Sequence, residues 1–226
     1  MAGRVIGIGD IHGCLDKLEG LIDAINPDPA DKLIFLGDYI DRGPDSKGVI
    51  QYLLDLQHRV PCIFLRGNHE DMLLRALDGD DAAAGDWIAN GGWQAMESYG
   101  TNLLPQDWPS EHLDFLRSTR LVHREPGFIF VHAGLRPGVG LLHQNPEDMM
   151  WIRDTYLKSD FDWGAVVVTG HTPTSEPKRF GNKILIDTGA VFEGKPGYGK
   201  LTGWDVLSDT VYQVGVLVEL ESPAMR

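Results

Sequence analysis

Five apolar runs rich in β-branched and aromatic residues, Arg4–Ile8, Lys32–Leu36, Pro61–Leu65, Gly127–Val131 and Ala165–Val168, each give way almost at once to a polar cluster. The clusters are Gly9-Asp10-Ile11-His12-Gly13, Gly37-Asp38-Tyr39-Ile40-Asp41-Arg42-Gly43, Gly67-Asn68-His69-Glu70, His132-Ala133-Gly134 and Gly170-His171. Short runs of this kind, stopped by Gly, His or Asp, read as buried strands. Between the first two runs, Cys14–Asn26 carries Leu15, Leu18, Leu21, Ile22 and Ile25 at helical spacing and stops at Asn26-Pro27. Between the second and third, Ser46–His58 repeats the pattern with Val49, Ile50, Leu53, Leu54 and Leu56. The order is β-α-β-α-β, which implies largely parallel pairing, helices on the faces and ligands beyond the carboxyl ends of the strands. All five polar clusters fall at those ends.

From Asp71 to about Arg120 the pattern turns helical and irregular, with Trp87, Trp93 and Trp108 set among Gly, Asp and Pro. This reads as a helical insertion: either one wall of a groove over the strand ends, or tryptophans packed plainly against the sheet. After Gly170, Lys183–Asp187, Leu201–Val206 and Thr210–Leu217 read as strands joined by tight turns, clearest at Ser208-Asp209. The predicted architecture is α/β: a β-sandwich of two mixed sheets flanked by helices, with an insertion at about 71–120, in one domain spanning 1–226. Glu221–Arg226 is expected to fray.

The chain has 33 acidic and 20 basic residues, a formal charge of −13, which argues against general affinity for nucleic acid or anionic membrane. Cys14 and Cys62 are too few for a disulfide framework, and both suit small packing positions. No apolar run is long enough to cross a bilayer, and the N-terminus enters a strand pattern instead of a secretory one, so a cytoplasmic protein is expected.

The polar clusters suit a pair of cations. Asp10 and His12 alternate with Ile11, so both can point to one side. The Gly7–Gly13 stretch also invites a dinucleotide-binding reading, but its third glycine comes one residue late and Asp10 would face the pyrophosphate. Asp38 can bridge two cations through its two oxygens, and paired metals about 3.5–4 Å apart suit in-line displacement at phosphorus. Arg42 offers a fork of donors for phosphoryl oxygens. Asn68 can ligate only through its carbonyl oxygen. His69 suits a proton donor held and charged by Asp41, and Glu70 suits a structural role in the first turn of a helix. His132 and His171 would each pass singly for core histidines; beside Asp10, His12, Asp38 and Asn68 they read as ligands. Two inner shells result, Asp10, His12 and Asp38 on one cation and Asp38, Asn68, His132 and His171 on the other. The mixed oxygen and imidazole set suits Mn, Fe or Zn, with Mn expected in the purified protein. Arg153 is a second candidate phosphate clamp and Arg66 a weaker one; His58, His112, His123 and His143 are assigned to surface or packing.

These residues resemble the phosphoprotein phosphatase family of metallophosphoesterases, matching its GDxHG, GDxxDRG, GNHE, HAG and GH motifs in order from Gly9 to His171. Ile186–Phe192 is similar to its short bacterial and phage members, while the Ser-Ala-Pro-Asn-Tyr stretch of the eukaryotic members is missing. The resemblance implies a calcineurin-like fold, the ligands Asp10, His12, Asp38, Asn68, His132 and His171, the clamps Arg42 and Arg153, and the Asp41–His69 pair. It implies a metal-dependent phosphomonoester hydrolase in which a hydroxide held between two divalent cations attacks in line and His69 protonates the leaving alcohol. The expected activity is a serine/threonine protein phosphatase, acting on a phosphoprotein or a small phosphoester. The alternative is a symmetrical dinucleoside polyphosphate (diadenosine tetraphosphate) hydrolase. A metal-stabilised binding module is a third reading, opposed by an intact His69, Asp41 and Arg42.

Overall fold

A strand buried on both faces must be apolar throughout, and the three runs of the first βαβαβ unit meet that demand. In the computed structural model, which describes residues 3–100 and 103–215, they form β1 (Val5–Ile8), β2 (Lys32–Phe35) and β3 (Cys62–Phe64), paired in parallel in the order given. Two crossover helices, α1 (Leu15–Ile25) and α2 (Ser46–Leu56), bury Leu18, Leu21, Ile22, Ile25, Val49, Ile50, Leu53 and Leu56 against them. Asn26 ends α1 in a left-handed conformation, and Asp45 starts α2 by accepting from Gly48 N at 2.7 Å.

The second sheet is built from β4 (Val122–Glu125), β5 (Phe128–Val131), β6 (Val166–Thr169), β7 (Lys178–Phe180) and β8 (Lys183–Leu185). The chain then returns to the first sheet with β9 (Leu201–Asp205) and β10 (Thr210–Val214). Strand order is β10-β9-β1-β2-β3 in one sheet and β4-β5-β6-β8-β7 in the other. Each is mixed: β1, β2 and β3 run parallel, as do β5, β6 and β8, while β9 and β10 in the first sheet and β4 and β7 in the second pair antiparallel. The sheets meet face to face over Ile34, Leu36, Leu65, Phe130, Val168, Ile184, Ile186 and Trp204. Helices cover the outer faces: α1, α2 and the insertion on one side, and α7 (Pro146–Trp151) with α8 (Asp154–Leu157) on the other. The two mixed sheets flanked by helices are thus as expected from the sequence.

Three details differ from that expectation. α3 (Asn68–Leu77) begins inside the GNHE motif, so the irregular helical region proper is α4 (Asp81–Trp87), α5 (Trp93–Tyr99) and α6 (Ser110–Ser118). β4 and β7 are strands the apolar pattern did not reveal, because Val-His-Arg-Glu and Lys-Arg-Phe are short, polar edge segments. Thr210–Leu217 is described as a strand through Val214; the end of that run and Glu221–Arg226 lie outside the described residues. Of the insertion's tryptophans, Trp87 and Trp108 are buried and Trp93 is exposed. Among the described residues no helix is long and apolar enough to cross a membrane.

Phe130 is fully buried between the sheets. Phe130→Ala should therefore cost about 3–5 kcal/mol of unfolding free energy, read by urea titration of the metal-free protein. A loss under about 1 kcal/mol would show that the sheets do not pack through this ring.

Candidate functional site

Six strands of the two sheets deliver a polar group at the same edge. β1 leads to Asp10 and His12, β2 to Asp38, β3 to Asn68, β5 to His132, β6 to His171 and β8 to Asp187. All seven side chains are buried. Backbone hydrogen bonds lock the loops together: Ile11 N and His12 N donate to Asp38 O at 3.1 and 2.8 Å, and Gly170 N donates to His132 O at 2.8 Å. The turns are tight enough that His12, Asp38, Asp41, Arg42 and His171 all adopt positive φ, between 43° and 73° with the other non-glycine cases. Such conformations cost of order 1 kcal/mol or more each and persist only when the surroundings hold them.

Asp38 sits at the centre. Its Oδ1 lies 3.5 Å from His132 Nε2, and its Oδ2 lies 3.5 Å from His12 Nε2 and 3.9 Å from His69 Nε2. Two groups of potential ligand atoms therefore share it, each within 4.8 Å: His12, Asp38 and His69, and Asp38, His132 and His171. Asn68 adjoins the second group, with Oδ1 3.0 Å from His132 Nε2. Asp10 belongs to neither group; its Oδ2 accepts from His171 N at 2.9 Å. The first group thus differs from the expected one by His69 in place of Asp10, because His69 Nε2 turns toward Asp38 once its Nδ1 engages Asp41.

The donor chemistry fits divalent cations. Asp10 Oδ1, His69 Nε2 and His171 Nε2 are buried with no hydrogen-bond partner, a costly state for polar atoms. His132 Nδ1 lies 2.9 Å from Leu36 O and must carry the proton there, so Nε2 turns a lone pair toward Asn68 Oδ1, another acceptor. His12 is alike: Nδ1 donates to Ile40 O at 3.0 Å, and Nε2 accepts from Arg42 Nη1 at 2.8 Å, a cationic group standing beside the lone pair. Burial sets the charge states. It pushes Asp38 and Asp187 up to about 7 and Asp10 well above the usual carboxylate range, and lowers His12 to about 3 and His132 to about 4. Neutral imidazoles with free lone pairs are ligands, and acids crowded upward lack nearby positive charge. Asp10, Asp38, Asp41, Glu70 and Asp187 are five buried carboxylates, and among the described residues only Arg42 and Arg153 bring positive charge to the pocket lining. Bound cations would reverse this imbalance.

The pocket itself is small, about 70 Å³, and is lined by Asp10, His12, Asp38, Asn68, His69 and His171 with Arg42 and Arg153. Its remaining wall includes Asn90, Trp151, Pro173, Asp187 and Phe192. Arg153 Nη1 donates to His171 O at 2.9 Å and Thr172 Oγ1 at 3.2 Å, which holds its guanidinium at the rim. Arg66 instead bonds Thr119 and the Arg117 carbonyl, away from the lining. Asp41 Oδ2 and His69 Nδ1 meet at 2.7 Å, both fully buried. Burial raises the Asp41 pKa and lowers that of His69.

Three residues carry more than their sequence setting suggested. Asp187 follows β8 as Asp38 follows β2, and Ile186-Asp187-Thr188 carries the same apolar-to-acidic signal. Trp87, from the insertion, donates Nε1 to Asp41 Oδ1 at 2.9 Å, and nothing in its local pattern pointed there. Glu70 is a brace: its carboxylate accepts from Asp38 N and Tyr39 N at 2.8 Å, Gly67 N at 2.9 Å and Ile40 N at 3.4 Å. It ties the GNHE turn to the GDxxDRG turn and so sets where Asp38 stands. Glu70→Gln, which turns one acceptor into a donor facing these amides, should cost about 2 kcal/mol or more of stability and weaken Mn binding, read by urea unfolding and calorimetric titration. Stability within about 0.5 kcal/mol of wild type with unchanged Mn affinity would contradict the bracing role.

The chain is similar to several known proteins. A bis(5'-nucleosyl)-tetraphosphatase PrpE [asymmetrical] of Bacillus thuringiensis subsp. konkukian is 29% identical over 221 residues, covering 83% of this chain and 86% of its own. A solved structure proposed to be a diadenosine tetraphosphatase superposes with a TM-score of 0.74 at 23% identity, over 95% of this chain and 94% of that one. A serine/threonine protein phosphatase from Saccharomyces cerevisiae shares the fold with a TM-score of 0.67 at 14% identity, over 100% of this chain and 82% of that one. The family profile described as calcineurin-like phosphoesterase matches residues 3–216, and with that span the chain belongs to the calcineurin-like phosphoesterases.

Proposed function

We propose that the chain is a metal-dependent hydrolase of dinucleoside polyphosphates, with diadenosine tetraphosphate as the representative substrate and asymmetric cleavage as the expected outcome. The observation that carries the chemistry is the buried Asp38, whose two oxygens face two separate imidazole groups. The likeness to the Bacillus tetraphosphatase over most of both chains supports the substrate class. Trp151, 40% exposed, and Phe192 border the pocket and offer aromatic faces on which a nucleoside base can stack. This moves the reading from the serine/threonine protein phosphatase expected from sequence to its alternative, and from symmetric to asymmetric cleavage. The yeast protein phosphatase is alike in fold, at 14% identity.

Asp10, His12, Asp38, Asn68, His132 and His171 are the residues assigned to hold two divalent cations, with Mn as the working choice. When bound, such cations neutralise charge on the phosphoryl oxygens and make water a nucleophile near neutral pH. The chain's own groups do the rest. Arg42 and Arg153, both at the pocket lining, donate to the equatorial oxygens and orient the phosphorus for attack opposite the leaving group. A P–O bond forms to the attacking water oxygen as the bond to the leaving phosphate oxygen breaks. His69, doubly protonated at the start of the step, delivers its Nε2 proton to the leaving oxygen and is recharged by the proton the attacking water gives up, while Asp41 on Nδ1 steadies the ring as its charge changes. A carboxylate on the far nitrogen would equally suit a metal-ligating histidine. What favours the donor role is that the assignment gives Asn68, His132 and His171 to one cation and Asp10 with His12 to the other, so that neither shell requires His69.

The test is a substrate panel with the Mn-loaded enzyme. Diadenosine tetraphosphate should exceed a phosphoserine peptide in kcat/KM by about tenfold or more, and chromatography should resolve ATP and AMP as products. Equal amounts of ADP alone would restore symmetric cleavage, and preference for the phosphopeptide would restore the protein phosphatase reading.

A further inference from the structure

Trp87, from the insertion, touches the proton-donor pair directly. Its ring is 3% exposed, and its single polar atom is spent on Asp41. The two oxygens of Asp41 are each committed to one ring: Oδ1 to Trp87 Nε1 at 2.9 Å and Oδ2 to His69 Nδ1 at 2.7 Å. The Asp41 backbone is fixed as well, donating its N–H to Ser46 Oγ at 3.0 Å. An indole N–H can only donate, so it holds Oδ1 as an acceptor and leaves Oδ2 to accept from the His69 ring. A hydroxyl or amide in its place could reverse the polarity. With the indole N–H removed, a fully buried oxygen loses its partner and the carboxylate is free to turn away from His69.

The segment that follows Trp87 is gripped on both sides. A Cβ on Gly92 would come within 2.4 Å of the Trp87 ring. Gly91, at φ 106°, accepts from Arg42 N at 3.1 Å, and a Cβ there would lie 2.8 Å from Arg42 Cγ. Asn90, just before them, lines the pocket. The kinked segment Ile88–Gly92 thus wedges between the tryptophan ring and the phosphate-facing arginine.

We propose that Trp87 is a positioning residue for the hydrolytic step: its indole N–H holds Asp41 as the acceptor that orients and charges His69, so the insertion forms part of the proton-delivery apparatus. The proposal rests on His69 as the proton donor. The direct test replaces Trp87 with phenylalanine, which keeps an aromatic ring and loses the N–H. The Mn-loaded enzyme is assayed on β-glycerophosphate, whose alkoxide leaves only with a proton, and on p-nitrophenyl phosphate, whose leaving group needs none. Trp87→Phe should lower kcat on β-glycerophosphate by roughly tenfold or more while changing kcat on p-nitrophenyl phosphate by less than about threefold. KM for both should hold within about twofold. In a His69→Asn background, where the donor is gone, Trp87→Phe should cost less than about twofold more.

Equal losses on both substrates, or a full additional loss in the His69→Asn background, would overturn the proposal and reduce Trp87 to a packing residue. His69→Asn alone sets the scale. If it is selective for the poor leaving group and Trp87→Phe is not, only the Trp87 role falls; if it is unselective, the donor reading falls and takes this proposal with it. Should Trp87→Phe fold poorly, the isosteric benzothienylalanine at position 87 removes the N–H at nearly constant shape, with the same outcomes deciding.

Discussion

The molecule turns on a cluster of lone pairs that protein groups alone do not satisfy. Asp10, His12, Asp38, Asn68, His132 and His171 are buried together at one edge of the two sheets, and several of their ligand atoms meet either nothing or another acceptor. Left alone, such a cluster is expensive, since desolvated carboxylates repel one another and unpaired acceptors forfeit their bonds to water. Positive charge at the centre converts each liability into a bond. The backbone carries a further cost: of the seven non-glycine residues with positive φ among the described residues, five belong to this site. Strain of that kind concentrated in one place is expected where a binding geometry, and not folding, has set the local conformation.

A sandwich of two mixed sheets is well suited to build such a cluster. Each sheet contributes three parallel strands whose carboxyl ends open on the same edge, so six turns can each donate one or two side chains without any strand being lengthened. An apolar cluster fills the interior between the sheets, from Ile34 through Phe130 to Ile186, and this rigid base fixes the distances at its rim. What the sheets do not fix, Glu70 does: four amides from two different turns converge on its one carboxylate. The insertion completes the rim from outside by placing Trp87 behind Asp41 and Asn90 in the lining.

Much of this was legible in the sequence because the signals were local. An apolar run that ends in Gly-Asp or Gly-Asn-His announces both a strand and what stands at its tip, which is why the parallel strands and the histidines and aspartates at their ends could be read directly. Asp187 carried the same signal after Lys183–Ile186 and could have been added to the site on the same grounds. β4 and β7 could not be read, since their residues are half-polar and their existence depends on neighbours far along the chain. Trp87 was illegible for a related reason: its partner Asp41 lies 46 positions away and its own helix shows only an ordinary buried ring. The grouping of His69, not Asp10, with His12 and Asp38 was likewise beyond reach, because it depends on which ring nitrogen Asp41 takes.

The central claim is that Asp38 stands between two cations. Anomalous diffraction from Mn-loaded crystals, collected on either side of the manganese edge, tests it most directly. Two peaks about 3.5–4 Å apart, one toward His12 and one toward His132 and His171, each in reach of a different Asp38 oxygen, are expected. A single peak, or peaks remote from Asp38, would contradict the assignment.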